Sequence, residues 1–126
     1  MIMGILRVKP GVVFTPQLPP AGARILEVLK RATQSYGVDV TITSAADGVH
    51  SGPTDPHYTG EAFDLRTHDL TAAQKSRLLN DLWAGLYREP RQFYAFLEAP
   101  NTPNEHIHVQ RRNGVIYTML DYLRDV

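Results

Sequence analysis

Residues 57–66 read His57-Tyr58-Thr59-Gly60-Glu61-Ala62-Phe63-Asp64-Leu65-Arg66. A histidine leaves a loop, Gly60 turns the chain, and an aspartate arrives on a strand predicted over 61–66. Glycine permits the positive φ that folds the histidine back toward the aspartate. Upstream, Val38-Asp39-Val40-Thr41-Ile42-Thr43 alternates β-branched residues with period two and predicts another strand. Downstream stands Glu105-His106-Ile107-His108. Residues two apart on a strand share a face, so His106 and His108 look into one space while Ile107 packs the other way.

The remaining elements fall around these. Val12, Val13 and Phe14 form a strand-like run between Pro10 and Pro16. Pro19 and Pro20 open a helix whose apolar stripe is Ile25, Val28, Leu29, Ala32 and Tyr36, with Gly37 as its C-cap. Residues 44–56, rich in Gly, Asp, Ser and Pro, make a loop long enough to be functional. Thr71 and Gln74 form a capping-box pattern ahead of a helix carrying Leu78, Leu79, Leu82, Trp83 and Leu86, and Pro90 ends that region. Strands are predicted over 93–97 and through Ile107 and Val109. Asn113-Gly114 signals a hairpin turn, with a returning strand over 115–117 and a short helix over 120–126. This order implies an α+β fold with a mainly antiparallel sheet and helices packed on one face. At 126 residues the chain is the size of one domain, 1–126.

Composition narrows the function. Thirteen Lys and Arg balance thirteen Asp and Glu, which removes the basic excess of a nucleic-acid binder and the polybasic signature of a membrane-surface protein. With no cysteine, a metal must be held by histidine and carboxylate. No apolar run reaches the length of a membrane span. Arg7, Lys9 and Pro10 interrupt the N-terminal apolar stretch too early for a secretory signal, so the chain is expected to be made in the cytoplasm, as a monomer. No Gly-rich phosphate loop, Gly-x-Ser-x-Gly elbow or His-Glu-x-x-His helix occurs. A two-His-one-carboxylate iron site fits by ligand type, but its usual spacing is one residue rather than six.

Catalytic zinc sites use three protein ligands and keep one position open. His57, Asp64 and His108 supply two imidazoles and a carboxylate for Zn²⁺. Glu105 and His106 are the candidate groups for taking a proton from water. Glu105 lies three before His108, so a regular strand turns it away. It reaches the site only if the strand begins after it or is bulged there.

At these residues the chain resembles the zinc D-Ala-D-Ala peptidase, lysostaphin and hedgehog superfamily. His57-x-x-Gly60-x-Ala62-x-Asp64 and the later His106-x-His108 match its spaced elements over roughly 38–109. The resemblance implies that His57, Asp64 and His108 bind zinc, that Glu105 is the general base and that His106 lines the site as an oxyanion stabiliser. Two departures bear on substrate. Ser44-Ala45-Ala46-Asp47-Gly48 lacks the Arg that grips a terminal carboxylate in the carboxypeptidases, and Asp55 stands where the family often has Ser. Both favour an endopeptidase on peptidoglycan peptides, as in phage cell-wall lysins, over a D-Ala carboxypeptidase. Release from the cell would bring it to the wall. The alternative is a non-catalytic, zinc-stabilised binding or phage structural module of the same fold.

Other residues read more plainly. His50 and Asp47 are expected as solvated loop residues, and His68 with Asp69 as a turn. Tyr58, Phe63 and Trp83 are expected to pack. Arg111-Arg112 is expected at a solvated sheet edge that discourages pairing.

Overall fold

The computed structural model describes residues 3–48, 50–87 and 91–124. In chain order these form β1 (Leu6–Val8), α1 (Pro20–Tyr36), β2 (Val40–Ser44), α2 (Pro56–Thr59), β3 (Ala62–Arg66), α3 (Ala72–Leu86), β4 (Phe93–Glu98), β5 (His106–Arg111) and α4 (Met119–Arg124). The fold class is α+β, around one five-stranded sheet of order β1-β2-β3-β5-β4. β1 runs parallel to β2, while β2–β3, β3–β5 and β4–β5 are antiparallel. The sheet is therefore mixed, with its one parallel pair formed by a strand outside the expected set.

Period-two patterning divides the sheet into two faces. Val40, Ile42, Phe63, Leu65, Phe93, Ala95, Ile107 and Val109 are buried on one of them. Against that face pack α1, through Ala21, Ile25, Val28 and Leu29, and α3, through Leu78, Leu82 and Leu86. Each helix is bounded as its sequence dictates. Pro20 starts α1, and Gly37 ends it at φ 75° with its N–H donating to Thr33 O. Thr71 and Gln74 form the reciprocal capping box of α3. The opposite face carries Asp64, Arg66, His106, His108, Gln110, Tyr94, Phe96 and Glu98. The short α2, which follows the 44–56 loop and has no periodic signal in the sequence, carries His57 onto this second face. Only the two long helices obey the one-face expectation.

Three further expectations are corrected. Residues 12–14 are not a strand; the N-terminal strand is Leu6–Val8, because β2 offers its free edge there. Asn113-Gly114 does turn the chain, with Gly114 at φ 79°, but 115–117 do not return as a strand. β5 is already paired by β3 on one side and β4 on the other, so no edge remains for a returning partner. For the same reason Arg111 and Arg112 do not guard an edge. Arg111 clasps Glu61 through Nε (2.7 Å) and Nη2 (3.0 Å), and Arg112 lies over the Tyr94 ring. Pro90 and residues 125–126 of the expected terminal helix lie outside the described residues.

Gly60 links the layers. It sits at φ 82° as the C-cap of α2, and a Cβ there would meet Thr15 Oγ1 at 2.5 Å. Helix α1 presses on the same turn, since a Cβ on Gly22 would meet Gly60 O at 2.0 Å. Gly60→Ala is expected to destabilise the fold by roughly 1–3 kcal/mol from the left-handed backbone alone, and by more once Thr15 must move. Chemical denaturation measures this loss.

Candidate metal centre

Each side chain of the cluster is placed by a separate local device. Asp55 caps the N-terminus of α2, accepting from His57 N–H at 2.9 Å. The same Asp55 Oδ1 lies 2.8 Å from His57 Nδ1. A carboxylate oxygen only accepts here, so Nδ1 carries the hydrogen and His57 Nε2 is turned inward. On β5, Gln110 Nε2 donates to Arg111 O (2.9 Å), which fixes its amide and aims Oε1 at His108 Nε2 (2.7 Å). His108 Nε2 is thus the donor, and His108 Nδ1 is turned inward. Asp64 and His108 are cross-strand partners in the β3–β5 register.

The two inward nitrogens meet one oxygen. Asp64 Oδ1 is 3.2 Å from His57 Nε2 and 3.0 Å from His108 Nδ1. A neutral imidazole has one N–H, and in both rings it is committed to the outer partner. The inward nitrogens of neutral rings are therefore lone pairs facing a carboxylate. Only two extra protons or a cation make that arrangement favourable. Ligand atoms about 2.0–2.1 Å from a tetrahedral zinc stand roughly 3.4 Å apart, close to the separations seen. His57, Asp64 and His108 thus form a group that could share one metal ion, and the donor set fits zinc in chemistry and spacing. The outer partners Asp55 and Gln110 supply the orienting contacts that metal-binding imidazoles normally have.

The electrostatics follow the geometry. Burial pushes the Asp64 carboxyl up, but His108 and His57 outweigh it and hold it well below the usual carboxylate range. Burial disfavours protonated His57 and His108, yet Asp64 outweighs it and raises both above the ordinary imidazole value. His57 and His108 are buried, and Asp64 faces a cleft of about 490 Å³. As expected, the 44–56 loop forms one lip, through Ser44, Asp47, Gly48 and His50.

The two expected catalytic residues part company. His106 lies one rung along β5 on the cluster's face, with Nε2 3.8 Å from Asp64 Oδ1 and 3.1 Å from Glu98 Oε1. Glu105 does not join the cluster. β5 begins after it, as its reaching the site required, but its carboxylate is engaged elsewhere. Oε1 accepts from Lys75 Nζ of α3 (2.5 Å) and Thr67 Oγ1 (2.8 Å), and Oε2 from Asn101 N–H (2.8 Å). Lys75, the Asn101 amide and Thr67 hold its pKa down at about 2, so in this arrangement it is a weak base. It still lines the edge of the cleft.

Four participants were not assigned to the site from sequence. Asp55 was noted only as a departure from a family pattern, although Asp before Pro at a helix start is a capping signal. Gln110 continues the period-two series of 106 and 108. Glu98 is the cross-strand partner of His106, which only the register reveals. His50, expected in solvent, stacks on His57 with centroids 3.8 Å apart and planes 4° apart, its Nε2 donating to Asp47 O (2.7 Å). His50, Asp55 and His57 form a second group of metal-ligand type. The His57 nitrogen facing Asp55 and the His50 Nε2 already have protein partners, so the trio serves as support for His57. His68 is exposed at the cleft margin, beside Asp69 in a turn as expected. Phe63 is fully buried, while Tyr58 and Trp83 are half-buried.

No family model, curated protein or solved structure matches this chain. Among the described residues no helix is long and apolar enough to cross a membrane.

Two outcomes follow. Asp64→Asn should abolish tight zinc binding, and Asp55→Asn should weaken it by about 10–100-fold. Calorimetric titration reads both, and in wild type at about pH 6.5 it should also show proton release as the ion displaces imidazole protons. Glu105, depressed from 4.5 to about 2, contributes stability that is present above about pH 4.5 and lost as pH falls toward 2. Denaturation midpoints across that window should therefore fall less steeply in Glu105→Gln than in wild type.

Proposed function

We propose that this chain is a zinc-dependent peptidase that hydrolyses peptide bonds of bacterial cell-wall peptidoglycan, as an endopeptidase rather than a D-Ala carboxypeptidase. The observation that carries the reading is the pair of inward imidazole nitrogens of His57 and His108 meeting Asp64 at the floor of an open cleft. Asp64 lines that cleft, and three protein ligands with a side open to solvent are the set expected of a hydrolytic site rather than a closed structural one. The wall-peptide substrate rests on the sequence resemblance at His57, Asp64, His106 and His108.

Bound there, a divalent cation supplies Lewis acidity toward a carbonyl oxygen and lowers the pKa of water to about 7. The chain's own residues do the rest. His57, Asp64 and His108 fix the ion, and Asp55 and Gln110 keep both rings in the binding tautomer. His106, hydrogen-bonded to Glu98 and turned into the cleft, can hold or move a proton at Nε2 and donate to a developing oxyanion. Glu105 can take that proton role only after exchanging Lys75 for water. The 44–56 loop bounds the cleft and presents no arginine over 44–48 to grip a terminal carboxylate. Such an enzyme would reach its substrate after release from the cell.

One observation favours a second reading, a zinc-stabilised binding or phage structural module. Glu105, the base implied by the resemblance, is engaged by Lys75 instead of the cluster.

Digestion of purified peptidoglycans of several wall types with zinc-loaded protein, followed by mass spectrometry of the muropeptides, separates the two. The peptidase reading expects new amino groups and defined cleavage products. It also expects His106→Asn to lower the rate by about 10²–10⁴-fold with zinc still bound, and Glu105→Gln to lower it by less. Absence of any product from every wall type, with zinc bound at one per chain, would favour the binding module.

A further inference from the structure

Two cationic side chains at the cleft have no direct partner in the protein. Arg66 follows Asp64 by two residues on β3 and shares its face, and it lines the same cleft together with Lys9. The carboxylates there are all engaged. Asp64 meets His57 and His108. Asp47 accepts from the N–H groups of Val13 and Ala45, at 3.1 and 3.0 Å. Glu105 is held by Lys75, Thr67 and Asn101. Outside the cleft lining, Glu98, across from Arg66 beyond His106, is bonded to His106. Among the described residues neither the Arg66 nor the Lys9 side chain has a hydrogen-bond or ion-pair partner; with Arg66 Nε buried, the terminal Nη groups are the donors left for a ligand in the cleft.

We infer that Arg66, assisted by Lys9, forms an anion subsite that grips a carboxylate of the substrate peptide beside the cation cluster. The inference rests on the peptidase reading and narrows its substrates to peptides that present a carboxylate close to the bond that is cut. A guanidinium matches a carboxylate with two parallel N–H donors, a geometry that an amide of the same shape cannot complete with equal strength. Two residues along a strand span about 6.7 Å, so the gripped group sits within about two extended residues of the carbonyl presented to the cluster. The carboxylate is an acidic side chain, as the endopeptidase reading requires, or a chain end, which would overturn that reading in favour of a carboxypeptidase; the chemistry at Arg66 is the same. Arg66 lies outside the 44–48 stretch, so this subsite is built from different residues than the carboxylate grip of the carboxypeptidases.

Two peptide pairs test it: one with internal Glu against Gln, the other with a free C-terminus against an amidated one. Calorimetric binding is measured on metal-free and zinc-loaded protein, and cleavage on the zinc-loaded form. Wild type should prefer the carboxylate member of one pair by about 10–100-fold, and which pair shows the preference identifies the source. Arg66→Gln should bring that ratio close to one, and Arg66→Lys should restore part of it. Lys9→Gln, at an exposed position, should lower the ratio less and provides a second variant. Equal affinity for both members of both pairs overturns the subsite, as does a preference undiminished in Arg66→Gln. Preference without cleavage leaves the subsite standing and sinks the peptidase reading; cleavage without preference does the reverse.

Discussion

One oxygen, Asp64 Oδ1, faces two imidazole nitrogens whose rings have already given their hydrogens to other partners. The candidate metal centre depends on that frustration. Neutral rings would point lone pairs at a carboxylate in a half-buried site, where unpaired polar contacts are costly. The arrangement is relieved by protons or by a cation, and the outer partners decide which nitrogen is available. Asp55 does this by capping the short helix that carries His57. Gln110 does it from the same strand face as His108. The ligand set is thereby held in binding form by groups that would never touch the ion.

The fold serves this arrangement by separating duties between the two faces of one sheet. Apolar residues of β2, β3, β4 and β5 bury themselves under α1 and α3, so the strands are fixed from behind. The polar alternates of the same strands then stand in register on the other side, in the rungs Asp64–His108–Phe96 and Arg66–His106–Glu98. Glu105 belongs to neither set. It leaves the strand just before it starts and ties the 99–104 loop to Lys75 on the helical layer. That loop contains Ala99 and Asn101 at positive φ, so a carboxylate accepting from the Asn101 amide is a reasonable brace for an otherwise unfavourable backbone.

Much of this was readable from the chain. The long helices, their caps, the central strands and the convergence of His57, Asp64 and His108 all follow from periodicity and spacing. These signals are local, or need only the rule that alternate residues share a face. What escaped required knowledge of neighbours. The failure of 115–117 to pair depends on β4 having already taken that side of β5. The identity of β1 depends on which strand offers an edge. Glu105 was expected at the cluster because its position in Glu-x-x-His says nothing about a lysine on a distant helix. His50 was expected in solvent because stacking on His57 depends on how a loop folds back. The His57 helix was hidden by its brevity, since four residues carry no periodic signal.

His57 and Asp64 are near neighbours in the chain, but His108 comes 44 residues after Asp64, with α3 and the β4 hairpin between. An ion shared by all three would act as a removable crosslink across that interval. It would restrict the denatured ensemble most strongly in the segment that includes α3, in the manner of other clips that close long loops. Chelation would then do more than silence a reactive centre. It would lower the stability of the whole fold, because α3 shares one core with α1 and the central strands.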